Sequence, residues 1–171
     1  MFGRRNIAVL LVVAFSAFSA VGCQEGLTGP TGVFLVQLSS APATLTAEPS
    51  TGVTLMVDGA PVTLDWKASF AVVMNTHLDH EPVEITSLAN GVRQAVGGVV
   101  VVPTPPDVER FLFEQRVGGN RLEPGGEEVI EFDVWYSLPT GEREAVVTVN
   151  ITFTGDVRGQ FVNSINIPVA P

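Results

Sequence analysis

The chain has 171 residues, 46% of them apolar, and carries 18 acidic residues against 9 basic ones, a formal net charge of −9 at pH 7. That balance argues against nucleic acid as a partner, because a phosphate backbone is bound by a cationic surface. A single cysteine, Cys23, rules out an intrachain disulfide, so stability must come from packing. At the amino terminus, residues 1–6 hold Arg4 and Arg5 and residues 7–21 are almost wholly apolar, the n-region and h-region of a secretory signal. A membrane-crossing helix needs about 20 apolar residues. This run is shorter, ends in small residues and gives way to Gln24-Glu25, so cleavage is expected rather than retention as a transmembrane helix.

The apolar run closes on Ala20-Val21-Gly22-Cys23. This tetrapeptide resembles a bacterial lipoprotein lipobox, with Ala20 where the family more often has leucine. The resemblance implies a diacylglycerol on the Cys23 thiol, cleavage between Gly22 and Cys23, and acylation of the new amino terminus; two or more chains give stable anchoring. The alternative is an ordinary signal peptide in which Cys23 is incidental. Gln24, in place of an aspartate after the cysteine, implies the outer membrane where the envelope has one. The expected organisation is a lipoprotein signal peptide at 1–22, a lipidated tether at 23–32 and one domain at 33–171. Loss of the leader removes Arg4 and Arg5 and leaves 149 residues with 7 basic and 18 acidic side chains, a net charge of −11. That length suffices for one domain with a real core. So acidic a domain is repelled by anionic lipid, and attachment then rests on the acyl chains. Residues 24–32 are rich in turn formers and without apolar period, and they reach at most about 30 Å, which keeps the domain near the bilayer.

From Val33 onward the apolar period is two. Strands are expected at 34–39, 44–48 and 53–57, the last followed by Asp58-Gly59, the residue pair that supplies the positive φ angles of a tight hairpin. Leu64, Trp66, Ala68, Phe70, Val72 and Met74 alternate with Asp65, Lys67, Ser69 and Asn75 and predict a strand with one buried face. Further strands are expected at 83–88, 99–102 and 108–117, with Val96-Gly97-Gly98-Val99 a bend or bulge and Pro103-Thr104-Pro105-Pro106 a stiff connector. Ile130, Phe132, Val134 and Tyr136 form another inward row. A last pair, Val147, Val149, Ile151 and Phe153 followed by 160–169, is joined by a looser turn at 154–159. About nine or ten short strands without a helical stripe predict an all-β, two-sheet antiparallel sandwich, with a small closed barrel as the alternative that strand number leaves open.

Across 62–169, Phe70-Ala71-Val72-Val73-Met74-Asn75-Thr76, then Pro82-Val83-Glu84-Ile85, then Leu122-Glu123-Pro124-Gly125-Gly126-Glu127-Glu128 with Phe132 are similar to bacterial immunoglobulin-like domains. The resemblance implies an immunoglobulin-like sandwich acting as a non-enzymatic adhesive or scaffolding module with an unidentified envelope protein as partner, and no cofactor.

Both histidines of the chain fall in His77-Leu78-Asp79-His80-Glu81. Imidazole and carboxylate suit zinc or copper, and His77, Asp79 and His80 lie close enough in sequence to converge on one ion, with Met56 or Met74 as a thioether for cuprous copper. A metal or small-ligand carrier is therefore the alternative function; a polar loop between two strands is the plainer account of the same residues. A blue-copper site is excluded because its thiolate cannot come from a lipidated Cys23. No serine sits in a nucleophile elbow. The carboxylates Glu127, Glu128, Glu131 and Asp133 would suit an acid–base pair for a hydrolase of envelope polysaccharide, but Glu131 and Asp133 read more simply as the wet face of a strand. Trp66 is expected in the core. Trp135 falls on the outward row, where an exposed indole can anchor a partner.

Overall fold

The computed structural model describes residues 36–97, 99–100, 110–117, 119–138 and 141–171. The expected signal peptide at 1–22, Cys23, the expected tether at 23–32 and the expected connector at 103–106 lie outside these residues. Among the described residues there are thirteen strands: β1 (Val36–Ala41), β2 (Leu45–Thr46), β3 (Glu48–Pro49), β4 (Thr54–Val57), β5 (Ala60–Thr63), β6 (Trp66–Thr76), β7 (Val83–Val96), β8 (Val99–Val100), β9 (Phe111–Val117), β10 (Arg121–Leu122), β11 (Glu127–Tyr136), β12 (Ala145–Gly155) and β13 (Gly159–Ala170).

One sheet runs β1-β6-β11-β9, with β3 also on β6; the other runs β10-β7-β12-β13-β2, with β8 on β7. If β1, β6, β7, β9, β11, β12 and β13 are lettered A to G, the sheets read A-B-E-D and C-F-G, which is the order of an immunoglobulin-like sandwich. Two sheets with separate edges exclude the closed barrel. One pairing departs from the antiparallel expectation. The chain leaves the first sheet after Ala41 and joins the second at Leu45 without reversing, so β2 meets β13 in parallel, Leu45 opposite Val169.

The alternation read from the sequence places the core. Phe70, Val72 and Met74 of β6, Ile130, Phe132, Val134 and Tyr136 of β11, and Val147, Val149, Ile151 and Phe153 of β12 are buried between the sheets. Phe70 and Phe132 stack at 5.0 Å, and Phe113 meets Phe132 edge-on at 6.3 Å. Such pairs add about 0.5–1.5 kcal/mol each beyond the area they bury. Trp66, Phe111 and Phe113 pack against this core while remaining partly exposed. Tyr136 is buried to its hydroxyl, which donates to the Arg143 carbonyl at 2.5 Å and ties the end of β11 to the segment leading into β12. Burial pushes this phenol far above its ordinary pKa.

Asp58 and Gly59 have φ of +50° and +81°, the two positive angles of a type I′ turn, and they close the separate β4–β5 hairpin. The strand expected to stop at Leu88 continues to Val96. Its alternation is broken where Phe153 faces Ile85 but Thr152 faces Ser87, so that Thr86 is an extra residue. Such a bulge moves the inward set from Val83 and Ile85 to Leu88 and Val92, which hides the strand's continuity from a period-two reading.

Candidate functional site

Three connections meet at one end of the sandwich: 77–82 after β6, the turn 123–126 before β11, and 156–158 between β12 and β13. Thr76 holds the first two together. Its hydroxyl donates to the Glu123 carbonyl at 2.6 Å and accepts from the Gly126 amide at 3.0 Å, while its own amide donates to the Gly126 carbonyl at 3.1 Å. Gly125 has a φ of +70°, and a Cβ there would collide with Cδ2 of Leu78, which lies across the turn. Glu81 holds the third connection. Its carboxylate accepts from the Val157 amide at 2.6 Å and the Arg158 amide at 3.0 Å. Gly155 leaves room for it, since a Cβ at that position would sit 2.6 Å from Glu81 Oε1. The Glu81 carboxylate is thus engaged in loop structure.

His77 and Asp79 are the solvent-facing pair of this end. The Asp79 amide approaches His77 Nδ1 at 3.4 Å, and the Asp79 carboxylate lies at the same distance from that nitrogen. The His80 amide donates to the His77 carbonyl at 3.1 Å, and the two rings meet edge-on at 5.8 Å. His80 Nε2 is buried without a hydrogen-bond partner. Among the described residues no group of three or more His, Cys, Asp or Glu side chains converges as a metal site would. Neither methionine completes one. Met74 is in the core, and Met56 sits on the β4–β5 hairpin at the opposite end of the sandwich.

The outer face of the first sheet carries a second polar cluster, one that the sequence reading took for an ordinary wet face. The Asp133 side chain is only 13% exposed. Ser69 donates its hydroxyl to one carboxylate oxygen, which also lies 3.3 Å from Lys67 Nζ; Arg116 binds the other at 3.1 Å. The Ser69 hydrogen bond, then Lys67 and Arg116, hold the carboxyl below its usual pKa. An aspartate kept ionised in this way is unsuited to deliver a proton as a general acid. The Lys67 ammonium also lies 4.9 Å from the centre of the Trp135 ring. Trp135 is outward, as the alternation predicts, but half-buried rather than fully exposed. Because β11 opens at the 123–126 turn and closes at Tyr136, Trp135 and the His77 loop lie toward opposite ends of the sandwich. Opposite charges on outward rows of three strands were visible in the sequence; that β6, β11 and β9 are neighbours was not.

No protein-family model and no curated protein matches this chain. Among solved structures it is similar to the crystal structure of a yeast GGA1 GAE domain, at 8% identity over 78% of this chain and 91% of that one, with a TM-score of 0.39. The fold assignment rests on the strand order above.

Proposed function

We propose that this chain is an envelope lipoprotein, held to a membrane by lipid on Cys23, whose immunoglobulin-like sandwich serves as a non-enzymatic binding or structural module for another envelope protein. The observation that carries the reading is the succession of Arg4-Arg5, the apolar run 7–21 and Ala20-Val21-Gly22-Cys23 ahead of a sandwich domain. An outer-membrane location follows Gln24 where the envelope has such a membrane. The test compares the chain with Cys23→Ser for incorporation of labelled fatty acid and for sedimentation with membranes, followed by crosslinking and identification of what is captured. Loss of both label and membrane retention in Cys23→Ser is expected; retention unchanged in Cys23→Ser sinks the anchor. A reproducible crosslinked envelope protein identifies the partner.

A metal-carrier reading has the His77–Asp79 pair and the unpartnered His80 Nε2 behind it, but among the described residues these side chains do not converge as a three-ligand site. Stoichiometric zinc or copper in the purified protein, lost on replacing His77 and His80 by alanine, would reverse the order of the two readings.

A further inference from the structure

We infer that the loop end of the sandwich, carrying Leu78 and Val157, faces the lipid surface and inserts these two side chains into it; this rests on the lipid anchor proposed above. The argument begins with where the chain enters the domain. Val36, the first residue of β1, pairs with Thr76, the last residue of β6, so the segment coming from Cys23 joins the sandwich beside the 77–82 loop. The Val36 carbonyl accepts from Nδ2 of Asn163, five residues past the β12–β13 turn, which places the entry point near the third connection too.

Thirteen residue steps separate Cys23 from Val36, a span of at most about 45 Å. The eleven residues of β6 set the height of the sandwich at about 36 Å. To bring the other end to the bilayer, the segment would have to run nearly straight along the whole domain, which is entropically unfavourable. The end where Val36 enters is the one that rests near the lipid.

That end carries the two most exposed large apolar side chains among the described residues, Leu78 at 77% and Val157 at 86%. Both sit on turns with fixed backbone: the His80 amide donates to the His77 carbonyl around Leu78, whose side chain rests against Gly125, and the Val157 amide is fixed by Glu81. Braced apolar tips lose little conformational freedom on insertion, and each buried side chain of this size favours the apolar phase about tenfold. Asp79 and Asp156 flank the tips, Arg158 alone opposes them beside Val157, and the chain as a whole is strongly acidic, so a zwitterionic surface fits better than an anionic one.

The experiment uses the lipidated full chain in phosphatidylcholine vesicles containing nitroxide-labelled lipid. Single cysteines, Val157→Cys at the loop end and Met56→Cys at the far end, carry an environment-sensitive fluorophore, while the thiol of Cys23 is occupied by its lipid. Flotation reads the anchor and quenching reads the orientation. Flotation with quenching at Val157→Cys about threefold or more above that at Met56→Cys is expected, because interfacial insertion brings a group about 5–10 Å into the headgroup region. Flotation with equal quenching, or stronger quenching at Met56→Cys, overturns the orientation and leaves the anchor standing. Failure to float overturns the anchor and the orientation with it.

Discussion

Replacing Asp133 by asparagine keeps the side chain's shape and removes the charge on which Ser69, Lys67 and Arg116 converge. The carboxylate lies against the sheet under neighbouring side chains rather than inside the core, and Arg116 is 72% exposed, so solvent screens the pairs. Each ion pair then contributes about 0.2–1 kcal/mol, and the Ser69 bond to a charged acceptor exceeds a neutral one by about 1 kcal/mol. Asp133→Asn should therefore cost about 1.5–3 kcal/mol at neutral pH, or roughly 5–10 °C in Tm. The sign of the pH dependence follows from the direction of the shift. The folded carboxyl titrates below its unfolded value near 4, so its contribution is complete above that value and is lost as pH falls through the folded one. Urea unfolding of both proteins from neutral pH into acid is the assay, followed by the fluorescence of Trp66 and Trp135, which lie on neighbouring strands beside Lys67. The gap between them should close in acid. A gap that stays equally wide as the pH falls through the folded carboxyl's titration would show that packing and not charge carries the effect.

Tyr136→Phe leaves the Arg143 carbonyl without its 2.5 Å donor and should lower stability by about 1–2 kcal/mol, with faster amide exchange in 141–144; unchanged exchange there would mean that the hydroxyl does not hold this corner. Gly155→Ala places a Cβ 2.6 Å from Glu81 Oε1 and should free the Val157 and Arg158 amides at a cost of about 1–2 kcal/mol; the double variant with Glu81→Ala should show less than the sum of the two losses, and full additivity would refute the coupling. Gly59→Ala, at a φ of +81°, should destabilise the β4–β5 hairpin by about 1 kcal/mol, read as protease sensitivity near residue 59.

The all-β class and the inward rows of β6, β11 and β12 are legible in the sequence because they depend on local order alone, a period of two. The β4–β5 turn is legible for the same reason, since Asp58 and Gly59 adopt their angles without help from distant residues. The continuation of β7 was hidden, because the residue that shifts its faces, Thr86, is extra only relative to Thr152 and Phe153 of another strand. Asp133 looked like an ordinary surface carboxylate because its partners, Lys67, Ser69 and Arg116, lie on strands that only sheet order makes neighbours. His77 and Glu81 stood together in one polar run, and the tertiary structure separated them, leaving His77 in solvent beside Asp79 and bringing Glu81 to amides some 76 residues away. Periodicity tells which side of a strand is buried. Which strand lies alongside, and therefore which charges, caps and loop tips share a surface, depends on contacts remote in sequence, and those only the folded chain brings together.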